Sequence, residues 1–132
     1  DVALAKETPP SWVRFAIARN EDDLLIGANG LTHLDLRNGI AETESTIFHP
    51  DYRGRGYGTE AKHLLLEYAF ERLGLHMVYS WVSEFNTRSS AALLKQGYRE
   101  AGYFAWSHAY RGNYLGGRYF DLLASEWRAA RG

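Results

Sequence analysis

The run Arg53-Gly54-Arg55-Gly56-Tyr57-Gly58 lies between a β-branched segment, Ala41 to Phe48, and an amphipathic one, Thr59 to Leu73. A strand that passes through a glycine-rich turn into a helix limits this chain more than any other feature. The first turn of a helix leaves its amide hydrogens unpaired, and the helix dipole places partial positive charge there. Glycines just ahead of such a turn let the backbone bend sharply and let an anion approach without meeting a Cβ. Together they make an anion site suited to a diphosphate. A nucleoside-triphosphate loop is excluded, because Gly58 is followed by Thr59-Glu60 rather than Lys-Ser or Lys-Thr. A dinucleotide fingerprint fails too, because Thr59 stands where its third glycine is required.

The segments on either side read as one domain. Trp12 to Ala18 alternates Val13, Phe15 and Ile17 and predicts a strand, and Leu24 to Leu31 predicts its hairpin partner. His33 to Gly39 reads as a loop with the turn pair Asn38-Gly39. Ala41 to Phe48 is the third strand. In Thr59 to Leu73, Ala61, Leu64, Leu65, Tyr68 and Ala69 recur at helical spacing and predict one buried face. Met77 to Ser83 is a strand. Thr87 to Gln96 is a second helix, with Asn86 as N-cap and Gly97 at the C′ position. Tyr98 to Tyr110 and Arg118 to Ala124 are the last strands, joined across Gly112, Gly116 and Gly117. The order β-β-β-α-β-α-β-β predicts an α/β fold, a mixed sheet with helices packed on it, its third and fourth strands parallel. Residues 1–11, with Pro9-Pro10, read as a lead-in or the remnant of a longer N-terminal part, and 12–132 as a single domain.

Composition narrows the function. With 15 Lys and Arg against 16 Asp and Glu, the net charge is −1. That disfavours a nucleic-acid grip built on phosphate neutralisation, despite the Arg-Gly pairs at 53–54, 55–56 and 111–112. No apolar run is long enough to suggest a membrane span. Cysteine is absent, so disulfides, thiolate metal sites and a thiol nucleophile are ruled out. The histidines at 33, 49, 63, 76 and 108 show no metal-ligand spacing.

Arg53 to Gly58 resembles the acetyl-coenzyme A loop of the GCN5-related N-acetyltransferases, with Arg53, Gly56 and Gly58 at its motif positions. Asn86 to Tyr98 is similar to the same superfamily's next segment, where an Asn opens the second helix and Lys-x-Gly-aromatic closes it. Asn86 with Ser89, Thr59-Glu60-Ala61 and Gly117 to Leu123 resemble its RimJ/RimL branch. The resemblance covers roughly residues 41–127.

The resemblance implies a cytoplasmic enzyme that moves an acetyl group from acetyl-CoA directly to a primary amine, either a protein N-terminus or a small molecule. No metal is implied. The backbone of Arg53, Gly54, Arg55, Gly56, Tyr57, Gly58 and Thr59 would hold the diphosphate. An amide near Ile47 or Phe48 would polarise the thioester carbonyl. Asn86 would bond the pantetheine arm or a bound water. Glu42, Glu44, Thr46 and Phe48 share one face of the third strand by its period of two. Glu42 is favoured over Glu44 as the base that takes the ammonium proton. Many members place a tyrosine acid where this chain has Leu93; Ser89, one turn earlier, or solvent is the expected substitute, with Tyr110 and Tyr119 as unplaced alternatives. The superfamily's usual first strand and helices do not appear before Trp12, so the expectation is either a truncated chain or a homodimer mate, partner chain or further domain that completes the sheet. The competing reading is a non-catalytic acyl-CoA-binding module.

Overall fold

The computed structural model describes residues 11–131. The lead-in expected over residues 1–11 therefore falls outside it, apart from Ser11. Six strands form one sheet: β1 (Val13–Ala18), β2 (Leu25–Asp35), β3 (Ile40–Ile47), β4 (Met77–Ser83), β5 (Arg99–Tyr110) and β6 (Asn113–Leu123). Their spatial order is β1-β2-β3-β4-β6-β5. All neighbours are antiparallel except β3 and β4, which run parallel across the helical crossover, as the sequence predicts. The helices are α1 (Tyr57–Glu67), α2 (Thr87–Lys95) and α3 (Ala124–Arg131).

One face of the sheet carries the core. Leu31, Ala41, Val78, Phe120 and Leu122 project from the strands against Leu65, Leu66 and Phe70 of the first helical segment and Trp127 of α3. Phe70 and Phe120 are 1% exposed. Side chains of that size contribute on the order of 2 kcal/mol each on burial. Gly97 has φ +100°, so the left-handed residue that ends α2 is a glycine, as its position after the last periodic residue predicts.

Four expectations change. The buried stripe of α1 is Ala61, Lys62, Leu65 and Leu66, while Leu64 is 61% exposed. Three consecutive leucines fit either stripe, and packing against β2 and β3 selects the one that includes Lys62. The helix also continues as a π-helical turn over Tyr68–Arg72. His33 does not begin a loop: β2 runs on to Asp35 through an irregularity between Thr32 and Asp35, with His33 at φ +48°. Gly116 and Gly117 lie inside β6 rather than in the connection, which turns at Arg111 and Gly112. Finally, α3 has no counterpart in the sequence reading. Its sequence, ASEWRAAR, offers only Ala124 and Trp127 to the core.

Candidate active site

Strands β3 and β4 pair over only three positions, Ile40–Glu42 against Met77–Tyr79. The last ties are side-chain bonds: Ser80 Oγ donates to Thr43 O at 2.9 Å, and Thr43 Oγ1 donates to Tyr79 O at 3.3 Å. Beyond them the strands part. β3 stays paired with β2 as far as Ile47, and the Phe48 amide donates to Ile26 O at 3.0 Å. Amides alternate sides along a strand, so those of Ile47 and Ser45 face the gap. Of the two amides expected near the thioester, that of Phe48 is thus already engaged, and that of Ile47 points into the opening. Ser45 joins it, a position the sequence reading did not single out.

The glycine loop closes one end of this gap. Gly54 and Gly56 have φ of +74° and +87°, and a Cβ on either would meet nothing within 4 Å. The positive dihedrals require glycine, and the space in front of them is open. Gly56 is the N-cap of α1 and supplies no side-chain cap. Its carbonyl takes the Glu60 amide at 3.0 Å. The amides of Tyr57, Gly58 and Thr59 have no backbone acceptor among the described residues, so they remain available to an anion. Arg53 locks the loop to the strand, its Nε donating to Ile47 O at 2.8 Å. The side chains of Arg55 and Arg19 instead lie over the ring of Tyr52, at 5.5 and 4.7 Å, and Tyr57 packs edge-on to that ring.

A long open cleft of about 1360 Å³ runs from this loop between α1 and α2 to α3. Ile47, Arg53, Gly54, Gly56, Gly58, Thr59, Asn86 and Ser89, all singled out in the sequence, line it together. Asn86 also caps α2, its Oδ1 accepting the Ser89 amide at 3.1 Å. The cleft wall carries the cations Arg53, Lys62, Arg88, Lys95 and Arg131 against the single carboxylate Glu126, in a chain whose net charge is −1. Such a concentration focuses positive potential on an incoming polyanion. Lys62 and α3 were not foreseen. A lysine among leucines in a helix carries no mark that separates it from a solvated one.

The carboxylates lie on the opposite face of β3. Glu44 is held by Arg14, with NH2 at 2.7 Å and Nε at 3.1 Å from Oε1. Among the described residues Glu42 Oε1 is bonded by His33 Nδ1, at 3.0 Å. The charge of Glu42 also helps raise the Tyr79 hydroxyl above its usual pKa, after burial as the larger cause. A hollow of about 420 Å³, lined by Ser11, Trp12, Arg14, Thr32 and His33, lies beside both pairs. Leu93 is 6% exposed and belongs to the core. Among the described residues no three His, Asp or Glu side chains converge as a metal site. No helix there is long and apolar enough to cross a membrane.

A split mixed sheet with a helix N-terminus at the mouth of the split is the architecture of a GNAT-type domain. The acetyltransferase (GNAT) domain family matches residues 2–99, and the chain belongs to it. It is 27% identical over 117 residues to the uncharacterized N-acetyltransferase YnaD of Bacillus subtilis (strain 168), covering 86% of this chain and 66% of that one. It is 29% identical over 114 residues to the uncharacterized N-acetyltransferase p20 of Bacillus licheniformis, covering 86% and 64%. The chain thus spans just under two thirds of these curated relatives. The spermidine/spermine N-acetyltransferase SpeG from Vibrio cholerae superposes with a TM-score of 0.86 at 23% identity, covering 92% of this chain and 70% of that one, which speaks to the fold.

Proposed function

We propose that this protein is an acetyl-CoA-dependent N-acetyltransferase of the RimJ/RimL-like branch, acting on a primary amine. The observation that carries the reading is the alignment of free amides at Tyr57 to Thr59 with a cation-lined cleft that leads to the parted strands. In this reading the amides and Arg53 hold the diphosphate, and Asn86 reaches the pantetheine arm. The Ile47 amide donates to the thioester oxygen as it gains charge, a contribution typically worth about 3 kcal/mol.

The acceptor enters from the Glu42 face. Glu44 is neutralised by Arg14, whereas Glu42 faces only an imidazole, so Glu42 is the base that takes the ammonium proton, directly or through water. The amine nitrogen bonds to the carbonyl carbon, the C–S bond breaks, and the thiolate takes a proton from solvent relayed by Ser89. A small amine or a protein N-terminus suits the 420 Å³ hollow beside Glu42. Among the described residues β1 is an edge strand, where a strand from a second copy or a longer chain would pair.

The test is release of free thiol from acetyl-CoA with a panel of amines and N-terminal peptides. Transfer to any of them supports the reading. Tight coenzyme binding with no thiol released from the whole panel replaces it with a non-catalytic acyl-CoA-binding module, for which the burial of Leu93 in place of a tyrosine acid speaks.

A further inference from the structure

Lys62 is 4% exposed, on the core-facing stripe of α1. Lysine is almost never buried to this degree unless it is paired. Among the described residues its charge-accepting neighbour is the ring of Tyr98, whose centroid lies 5.0 Å from Nζ. No side chain or carbonyl among the described residues gives it a hydrogen bond or an ion pair. The Tyr98 hydroxyl is turned away to Thr43 Oγ1 at 2.8 Å, where β3 and β4 separate. Lys62 therefore lies at the floor of the gap, and its side chain lines the cleft one helical turn beyond Gly58 and Thr59.

The described residues around it supply no free counter-charge. The groups facing the cleft around it are Arg53 from the loop, His63 from α1, Arg88 and Lys95 from α2, and Glu126 and Arg131 from α3. The lone carboxylate, Glu126, already stands 3.7 Å from Arg99. Tyr98, from the start of β5, is buried and its hydroxyl is pushed well above its usual pKa, so it offers no anion. Burial alone lowers the Lys62 amine to about 8. An uncompensated buried cation is costly, and an apolar side chain of the same length would suit the fold better. The missing charge has one way in, through the cleft.

We propose that Lys62 is a cation completed by the ligand: it takes its counter-charge from the anionic coenzyme bound in the cleft, and that binding draws a proton from solvent onto its amine. The inference rests on the coenzyme reading above and adds a residue and a proton to it. The sign follows from linkage. The amine is charged below its pKa, and a nearby phosphate raises that pKa in the complex. Affinity is therefore full below about pH 8 and falls as pH rises through that value toward the higher one of the complex, with a limiting slope of about tenfold per pH unit.

The experiment is calorimetric titration with S-ethyl-coenzyme A, a thioether that neither transfers nor hydrolyses. It is run at pH 7, 8 and 9 in Tris and in HEPES, whose ionisation enthalpies differ enough to count protons. The expected result is net proton uptake at pH 8–9 in the parent and none in Lys62→Met, whose affinity at pH 7 is about tenfold weaker. A lysine kept for ligand rather than fold also requires that ligand-free Lys62→Met melt at or above the parent temperature. Uptake that persists in Lys62→Met, or parent binding without uptake, overturns the proposal and leaves the coenzyme reading standing. Uptake that shrinks rather than grows from pH 7 to pH 9 also overturns it. Absence of binding in both proteins removes the coenzyme reading, and the proposal falls with it. Should Lys62→Met fail to fold, the parent's pH profile alone decides.

Discussion

Arg14 reaches Glu44 at 2.7 Å across Gly30, which stands between them in the row shared by β1, β2 and β3. With no side chain on Gly30, the guanidinium crosses the middle strand and neutralises one of two carboxylates that the strand period places on a single face. Two residues earlier, Glu42 meets His33 and lies near Tyr79, with no guanidinium or ammonium bonded to it among the described residues. The sheet thus separates two chemically identical side chains into a paired one and an available one.

This difference predicts unequal consequences of removing each charge. Glu42→Gln should lower kcat by about 10²–10⁴-fold and flatten the acidic limb of the pH–rate profile, as expected for loss of a general base. Glu44→Gln should leave that limb in place and cost under about 1 kcal/mol of stability, because the pair it breaks is exposed. Thiol-release kinetics from pH 5 to 9 read both, and a normal profile in Glu42→Gln removes it from the mechanism.

The loop makes a second prediction. Gly56 has φ +87°, so Gly56→Val should introduce about 1–3 kcal/mol of backbone strain and place a branched side chain in the anion's path. Coenzyme affinity should fall at least tenfold. Gly58 lacks a positive φ, and a Cβ there meets Ile47 Cγ1 at an ordinary 3.5 Å. Gly58→Ala should therefore raise stability by up to about 1 kcal/mol. Denaturation and equilibrium binding separate the two, and retained affinity in Gly56→Val contradicts the loop assignment.

Asn86 serves α2 and the cleft together, and the two roles are separable. Asn86→Ala should cost about 1 kcal/mol through the lost cap. Asn86→Ser should restore the cap but not the reach into the cleft. Stability rescued with affinity still weak is the expected outcome. Full recovery of both would reduce Asn86 to a cap.

At the β2–β3 turn the Asp35 carboxylate accepts the Asn38 amide at 2.9 Å and the Asn38 side chain at 2.7 Å. The backbone bond first, then the side-chain one, hold its pKa below the usual 3.8. A depressed carboxylate contributes stability that is present above the unfolded value and lost as pH falls through the folded one. Thermal melts from pH 6 to pH 2 should show a decline that begins near pH 4 and is shallower in Asp35→Asn. Identical curves would assign the acid sensitivity elsewhere.

The order of the strands with α1 and α2, and the parallel β3–β4 pair, were legible because β-branched and aromatic runs are set off by turn signals and because α1 and α2 are marked by Gly56, Asn86 and Gly97. The shared cleft lining of Arg53, Gly56, Gly58, Asn86 and Ser89 followed from two motifs, although they lie some thirty residues apart. What escaped were facts of packing. The choice of stripe within Leu64-Leu65-Leu66 depends on which side meets β2 and β3, and that choice is what buries Lys62. The partner of Glu44 lies 30 residues away across an intervening strand, and no local pattern encodes it. α3 is short, largely polar and anchored by Trp127, too little periodicity to announce a helix.

The three-rung seam between β3 and β4 is the shortest strand pairing in the sheet, and it borders the cleft. One half of the sheet is fastened to the other at Ile40–Glu42 and by the hydroxyls of Ser80 and Thr43. A ligand that occupies the opening and satisfies the idle amides of Ser45 and Ile47 fastens the two halves from within. On the coenzyme reading, the domain's resistance to heat and to proteases should then rise with the filling of the cleft.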